Sequence, residues 1–298
     1  MINDPAHFSW RNQLGDLGPR ARTAAVLIPL VLVLLVLDAF TCTGRWFAFV
    51  AALAAATLAA FEYARFGGGA LPRAACVATT VLAPLFFFGT YLAAVQRCDA
   101  PPPIDESLII AARCVVLAVA LVLIAAFVLG RESVDEVGRV LREVPLATGL
   151  IGCGGAALAA LTVAPGGAWI VLWLIVVVSV NDTAAYLAGS RIGGPKLCPA
   201  ISPGKTVSGS LAGLFFGTCI GTVVGRLSTA PTLGEALVVA LCVAFAAQLG
   251  DLAKSYLKRL HGVKDSGAIL PGHGGLLDRI DGILAGAIVV YVWVGGAW

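Results

Sequence analysis

The stretch Ser255-Tyr-Leu-Lys-Arg-Leu-His-Gly-Val-Lys-Asp-Ser-Gly-Ala-Ile-Leu-Pro-Gly-His-Gly-Gly-Leu-Leu-Asp-Arg-Ile-Asp281 separates two long apolar segments of this chain. It holds three aspartates, a group of Lys and Arg residues and two of the three histidines, whereas charged residues make up only 12% of the whole chain. Charge placed beside apolar spans is costly unless it binds something charged. The stretch therefore predicts a functional polar loop between two membrane helices.

The composition outside this stretch is that of a membrane protein. Of the 298 residues, 59% are hydrophobic and only 12% are charged, whereas about 25% of the residues of a soluble chain are charged. A membrane span takes about 20 apolar residues as a helix, and helices satisfy their own backbone hydrogen bonds in lipid. The sequence predicts an all-α integral membrane protein with about nine transmembrane helices: 23–40, 46–66, 74–95, 107–129, 146–164, 168–189, 207–226, 235–254 and 278–298.

These spans divide into two regions by their polar content. Region 1–145 has four apolar spans and is interpreted as a scaffold that contacts lipid and a second subunit. Glu62, at the end of the second span, is interpreted as structural, satisfied by snorkelling or by a local partner. Region 146–298 has five spans and two polar loops, and we expect it to be catalytic.

The distribution of basic residues predicts an orientation. With a cytoplasmic N-terminus, sixteen of the 20 Lys and Arg residues lie on the cytoplasmic side, which favours an external C-terminus. The Ala-, Gly- and Arg-rich composition is typical of a GC-rich bacterium, so we expect the bacterial cytoplasmic (inner) membrane, with both polar loops in the cytoplasm. The net charge of +3 gives no reason to expect a nucleic-acid partner.

The first polar loop begins within the sixth span. Asp182 lies about two turns from the inner end of that span, and Tyr186 follows on the same face. A carboxylate inside a membrane is a functional candidate, although an ion pair with a basic residue of a neighbouring helix is the alternative.

A second part of this loop resembles a phosphate-binding turn. Ser202-Pro203-Gly204-Lys205-Thr206 supplies hydroxyls, a cation and backbone N–H groups where the next helix begins. A Walker A motif is excluded, because Pro199 occupies the position of its first glycine.

The second polar loop is flanked by carboxylates on two helices. Asp251, Ser255 and Lys258 share one helix face, and Asp278 and Asp281 lie on the first turn of the last span. If the two helices pack side by side, Asp251 and Asp278 can share a cation, and Mg²⁺ prefers such carboxylates completed by water and phosphate oxygens. The surrounding basic residues indicate a phosphorylated substrate.

The order of these residues resembles the phosphatidate cytidylyltransferases, also called CDP-diacylglycerol synthases. The similar elements are Gln248-Leu-Gly-Asp251, Ser255-x-x-Lys-Arg259, Lys264-Asp265, Leu270-Pro-Gly-His-Gly-Gly275 and Asp278-Arg-x-Asp281, with Asp182-x-x-Ala-Tyr186 and Ser202-Pro-x-Lys-Thr206 upstream. The likeness covers about the C-terminal 120 residues. Ser208 departs from the family pattern, which often has Glu there, so no role of that Glu carries over.

The resemblance implies a reaction and its participants. It implies that CTP and phosphatidic acid give CDP-diacylglycerol and pyrophosphate at the cytoplasmic face, with Mg²⁺ and with room for a second, monovalent cation such as K⁺. It also implies a homodimer in contact with membrane lipids, acting in phospholipid biosynthesis.

Roles for the individual residues follow from the loops and the resemblance together. Asp251 and Asp278 are predicted Mg²⁺ ligands. Asp182 and Asp281 are predicted to support these ligands or to hold a second cation. Predicted phosphate contacts are Lys205, Lys258, Arg259, Lys264 and Arg279, assisted by Ser202 and Thr206, while Pro203, Tyr186 and Ser255 are expected to line the substrate site. Asp265 and His273 would fix the loop or move a proton.

Two alternatives remain at this stage. One keeps the enzyme class but changes the lipid, to an isoprenoid or ether-lipid phosphate. The other is a transporter of an anionic solute, which would place polar residues along both halves of a pathway. The confinement of polar residues to one membrane face disfavours transport.

Overall fold

The structure is a computed structural model that describes residues 42–65, 143, 145–164, 166–228, 232–263, 266–267 and 274–296, with separate positions between 29 and 36. In chain order its elements are α1 (Cys42–Arg65), a π-helical segment (Thr148–Cys153), α2 (Gly154–Val163), α3 (Gly167–Arg191), β1 (Lys196–Cys198), β2 (Ser202–Thr206), α4 (Val207–Ser228), α5 (Leu233–Leu260) and α6 (Leu277–Gly296).

Helices occupy the predicted spans in the described part of the chain. Five of them are long and apolar enough to cross a membrane: Phe47–Arg65, Pro145–Thr162, Gly167–Arg191, Val207–Leu227 and Leu233–Leu260. The predicted ninth span coincides with α6. The predicted spans 74–95 and 107–129, and most of 23–40, lie outside the described residues, so the count of nine and the orientation stay predictions.

Helices α3 and α4 pack through a row of glycines. A Cβ atom added to Gly209 would lie 2.6 Å from the backbone oxygen of Ala185, and one added to Gly213 would lie 2.8 Å from that of Asn181. Gly217 and Gly221 repeat this close approach along the same face. The four-residue repeat of these glycines in the sequence marks one helix face, and this face serves close helix packing.

A short β-hairpin corrects the all-α prediction. Strands β1 and β2 are antiparallel, with Lys196 opposite Thr206 and Cys198 opposite Ser202. Gly193 and Gly194, at φ angles of 66° and 100°, turn the chain after α3 in a conformation that favours glycine. The polar backbone that follows pairs with itself, and this gives it hydrogen bonds that an irregular loop would lack.

Helices α5 and α6 bring the two polar loops to one end of the helical core. Their apolar parts pack with α3 in a cluster that includes Trp173, Val243 and Val290. At Gly250, an added Cβ would lie 2.7 Å from both the Cβ of Ala285 and the backbone oxygen of Asp281. The two helices are therefore in close contact beside Asp251, as the side-by-side prediction requires.

Candidate active site

A cavity of about 550 Å³ opens between α3, the hairpin, α4, α5 and the start of α6. Most of the predicted site residues line it: Asp182, Tyr186, Ser202, Lys205, Thr206, Asp251, Asp278, Arg279 and Asp281. The structure thus brings the two polar loops, separated by about fifty residues of apolar helix, into one site.

Three lysines and three aspartates form the centre of this site, which we call the lysine–aspartate cluster: Lys205, Lys254, Lys258, Asp251, Asp278 and Asp281. The Nζ atom of Lys254 lies 2.8 Å from Oδ1 of Asp251, 2.7 Å from Oδ2 of Asp281 and 3.5 Å from Oδ1 of Asp278. Lys205, from β2, approaches the other oxygen of Asp251 at 2.5 Å. The carboxylates of α5 and α6 therefore meet around one ammonium.

Asp278 is held by both of its carboxylate oxygens. Lys258 donates to Oδ1 at 2.7 Å, and the backbone N–H and the hydroxyl of Ser266 donate to Oδ2 at 2.9 and 2.7 Å. Because Ser266 belongs to the loop between α5 and α6, this carboxylate links the loop to the helix that follows it.

A second carboxylate, from the N-terminal region, fixes the same loop. Glu62 of α1 is 2% exposed, and its two oxygens accept hydrogen bonds from the backbone N–H groups of Leu276 at 2.8 Å and Leu277 at 2.9 Å. The Ser266 hydroxyl lies 3.5 Å from it. An acidic group on the first N–H groups of a helix is stabilising. We call this arrangement the Glu62 anchor.

Two glycines of the loop make room for the Glu62 anchor. A Cβ atom at Gly275 would lie 1.8 Å from the Ser266 hydroxyl and 2.7 Å from Oε2 of Glu62, and one at Gly267 would lie 2.9 Å from Oε1. Part of the glycine content of this loop therefore serves the close approach of a carboxylate from α1.

An amide network supports the α3 side of the cavity. Gln248 donates to Oδ1 of Asn181 at 2.9 Å and to the backbone oxygen of Ser210 at 3.0 Å. Asn181 donates in turn to Asp182 at 3.1 Å. Asp182 is exposed to the cavity, and Tyr186 is 72% exposed at its edge. Both therefore face the space where we expect a substrate.

The hairpin supplies Lys205 to the site and also begins α4. The buried Thr206 hydroxyl accepts a hydrogen bond from the Gly209 N–H at 3.1 Å, as the cap residue of a helix does. Ser208, at the position that differs from the family pattern, donates to the backbone oxygen of Gly193. In this chain Ser208 therefore ties α4 to the turn after α3.

The remaining predicted residues lie around the cavity or outside the described part of the chain. Arg259 is exposed, and its Nε donates to the backbone oxygen of Ile201 in the hairpin turn at 3.2 Å. Ser255 and Pro203 do not line the cavity in the part of the chain that the structure describes. Lys264, Asp265 and His273 lie outside the described residues.

The cavity presents carboxylate oxygens, which are the atoms that a divalent cation takes together with substrate phosphates. Within the described ranges, no three His, Cys, Asp or Glu side chains form a ready-made metal site. Mg²⁺ does not need one, since it commonly uses one or two carboxylates together with substrate phosphates. Asp251, whose side chain is 34% exposed, offers such an oxygen at the cavity surface.

Sequence reasoning missed three residues of this site. Lys254 is three residues from Asp251 in the same helix, and this spacing could have revealed the contact. Ser266 stands beside the predicted pair Lys264-Asp265, but no local pattern indicates its contact with Asp278. Glu62 was interpreted as structural, which its contacts support, yet its partners lie more than 200 positions away rather than nearby.

Comparison of the sequence with known proteins places the chain in a family. The family model described as "Cytidylyltransferase family" matches residues 19–295. The chain belongs to the cytidylyltransferase family. The match includes every described element of the cavity as well as α1, which carries the Glu62 anchor.

Relatives of this cytidylyltransferase-family chain carry more specific names. Proteins named phosphatidate cytidylyltransferase are 43% identical over 129 residues in Brucella suis and 44% identical over 126 residues in Helicobacter pylori. These matches cover 43% and 42% of this chain, and 48% and 47% of the two relatives. An uncharacterized protein of Escherichia coli, YnbB, is 41% identical over 129 residues, or 43% of each chain. The matched part thus spans about half the length of these relatives.

Proposed function

We propose that this protein is a phosphatidate cytidylyltransferase that converts CTP and phosphatidic acid into CDP-diacylglycerol and pyrophosphate. The observation that carries the proposal is the cavity in which lysines and aspartates from β2, α5 and α6 meet beside apolar helices. A nucleoside triphosphate needs cationic side chains and a metal ion to neutralise its phosphates, whereas a lipid phosphate needs access to the site from the membrane. The names of the relatives agree with this assignment.

The proposed reaction is a single displacement at phosphorus. A phosphate oxygen of phosphatidic acid forms a bond to the α-phosphorus of CTP, while the bond from that phosphorus to the oxygen bridging to the β-phosphate breaks. Pyrophosphate leaves with the bond electrons. Because the nucleophile is already an anion, the enzyme supplies mainly position and charge neutralisation.

Cationic side chains of the cavity are suited to the phosphates. Lys205 has a partly exposed side chain on β2, and its contact with Asp251 can be exchanged for a phosphate oxygen. Arg279 is exposed to the cavity from the first turn of α6. In the proposed complex these two groups contact the phosphates of CTP and of the lipid.

Asp251 and Asp278 would hold Mg²⁺ in this proposal. The ion would neutralise charge on the phosphates and orient them. The two aspartates are brought together by the packing of α5 on α6, and Asp278 is oriented by Ser266 and Lys258. We further propose that the site faces the cytoplasm of a bacterial inner membrane and that the protein is a homodimer.

The test is transfer of labelled CTP into lipid-extractable product by the purified protein in lipid nanodiscs, with phosphatidic acid and Mg²⁺. Asp251→Asn and Asp278→Asn are the site variants. Glu235→Gln is the matched control, since Glu235 caps the opposite end of α5. We expect product from the wild type and the control, and loss of about 100-fold or more in both site variants.

The outcomes separate the reaction from the metal assignment. Product that forms without phosphatidic acid, or no lipid product from folded wild-type protein, would contradict the proposed function. Activity that survives either aspartate substitution would leave the reaction in place and contradict the assignment of Mg²⁺ to that residue.

A further inference from the structure

Lys254 occupies an unusual position for a lysine. Its side chain is only 7% exposed, within a long apolar helix, and its ammonium faces carboxylates from two helices. Lysine is rarely buried, because the ammonium loses its hydration unless other groups replace it. Here Asp251 and Asp281 replace it at 2.8 and 2.7 Å, with Asp278 at 3.5 Å.

The other two lysines of the cluster contact the same carboxylates from outside. Lys205 and Lys258 are more exposed, at 26% and 13%, and each contacts a single aspartate among the residues that the structure describes. Lys254 alone among these three contacts all three carboxylates. Asp281, with a side chain 8% exposed, lies closest to the ammonium of Lys254.

The carboxylates explain why a cation belongs at this point. Asp251, Asp278 and Asp281 on packed helices would repel one another strongly in a poorly hydrated site. An ammonium and a potassium ion are similar in size, and both satisfy carboxylate oxygens. A protein could place a bound monovalent cation there, or it could place its own ammonium.

We infer that Lys254 is a built-in cation, whose ammonium takes the place of a bound monovalent ion between the carboxylates of α5 and α6. One divalent ion, held on the cavity side with the phosphates of CTP, then completes the site. This inference rests on the proposed function for the divalent ion and CTP. The role of the ammonium itself can be tested without either of them.

The experiment compares the wild type with Lys254→Met, which removes the charge but keeps an apolar stem of similar length. Lys196→Met is the matched control, because Lys196 is exposed on β1. The melting temperature of each protein, without nucleotide, is measured in potassium, ammonium or choline chloride at equal ionic strength. Choline is too large to enter between the helices.

We expect the wild type and the control each to have the same melting temperature in all three salts. Lys254→Met should melt several degrees lower in choline, since removing one partner of a buried ion pair leaves uncompensated charge. Potassium or ammonium should restore part of this loss. In the transfer assay the variant should be slower by about tenfold or more in choline, and partly rescued by the same two ions.

A double variant keeps the test decisive if Lys254→Met does not fold. Lys254→Met with Asp281→Asn removes one positive and one negative charge, so in choline it should fold where the single variant does not, or melt at a higher temperature than a single variant that does fold. A double variant that is no more stable than Lys254→Met would overturn the inference. So would a wild type whose melting temperature rises in potassium, or a folded Lys254→Met that responds to no cation.

The two readouts also separate this inference from the proposed function. Salt-dependent melting of Lys254→Met in a protein without transfer activity would contradict the cytidylyltransferase assignment and leave the built-in cation standing. Transfer activity of the wild type, together with a Lys254→Met variant whose melting does not depend on the salt, would support the cytidylyltransferase assignment and contradict the built-in cation.

Discussion

The Glu62 anchor and the lysine–aspartate cluster lie at the same end of the molecule, and both contain buried carboxylates, but their partners differ. Glu62 accepts hydrogen bonds from the backbone N–H groups of Leu276 and Leu277, which cannot move without unwinding α6. Asp251 is paired with the buried ammonium of Lys254 and with that of Lys205, whose partly exposed side chain can rotate away. Fixed donors suit a structural role, whereas exchangeable donors suit a site that must receive phosphates.

Asp278 connects the two arrangements. Its Oδ2 accepts from Ser266, which also lies beside Glu62, and its Oδ1 accepts from Lys258. A substitution at Asp278 should therefore disturb both arrangements and have the largest effect. Substitutions at Glu62 and Ser266 should have smaller effects.

The largest effect is expected for Asp278→Ala. This change removes the carboxylate from the cluster and releases Ser266 and Lys258, so we expect CTP transfer to fall roughly 100- to 1000-fold. Initial rates over a range of Mg²⁺ concentrations measure it. A rate within threefold of the wild type at every Mg²⁺ concentration would remove Asp278 from the reaction.

A smaller effect is expected for Glu62→Gln. The neutral amide keeps one acceptor oxygen but turns an NH₂ group toward a backbone N–H, so unfolding should become easier by about 1–3 kcal/mol. Because the loop then holds Asp278 less firmly, activity should fall about 10- to 100-fold, as for the loss of an outer partner of a metal ligand.

Proteolysis shows whether the change at Glu62 acts through the loop. Limited digestion should cut Glu62→Gln within residues 262–276 faster than the wild type. The capping-box variant Glu235→Gln, at the far end of α5, should lose about 1 kcal/mol or less and keep the wild-type digestion pattern. Equal digestion of Glu62→Gln and wild type would mean that the anchor does not hold this loop.

The smallest effect is expected for Ser266→Ala. The substitution removes the hydroxyl bond to Asp278 but keeps the backbone N–H bond to the same oxygen. We expect activity to fall about threefold to tenfold, with the Mg²⁺ concentration for half-maximal rate raised. A loss as large as that of Asp278→Ala would contradict this order and show that the hydroxyl is as important as the carboxylate that it contacts.

Much of the helical framework could be predicted from the sequence, because apolar length alone decides where a helix can cross a membrane. The glycine row of α4 was equally readable, since a four-residue repeat marks one helix face. The proximity of Asp251 and Asp278, which both lie near Lys254, followed once the helices were placed side by side. These features depend on local spacing or on neighbouring elements.

The features that could not be predicted depend on contacts between distant segments or on orientation. Helical spacing put Lys254 near Asp251, but it could not tell whether the ammonium turns to solvent or between α5 and α6. Glu62 contacts the loop although the two are separated by more than 200 residues in the sequence, and no pattern in α1 indicates this contact. The hairpin was missed because three- and five-residue strands are too short to show an alternating pattern.

Gly250 sets how closely α5 and α6 approach at the site, because any added carbon would strike Ala285 and the backbone of Asp281. Every one of the other nineteen amino acids adds at least that carbon. Position 250 therefore has no conservative replacement, and a complete survey of substitutions should tolerate glycine alone there. The tolerance of the chain to mutation would then be low at a residue with no side chain, beside the residues that carry the charges.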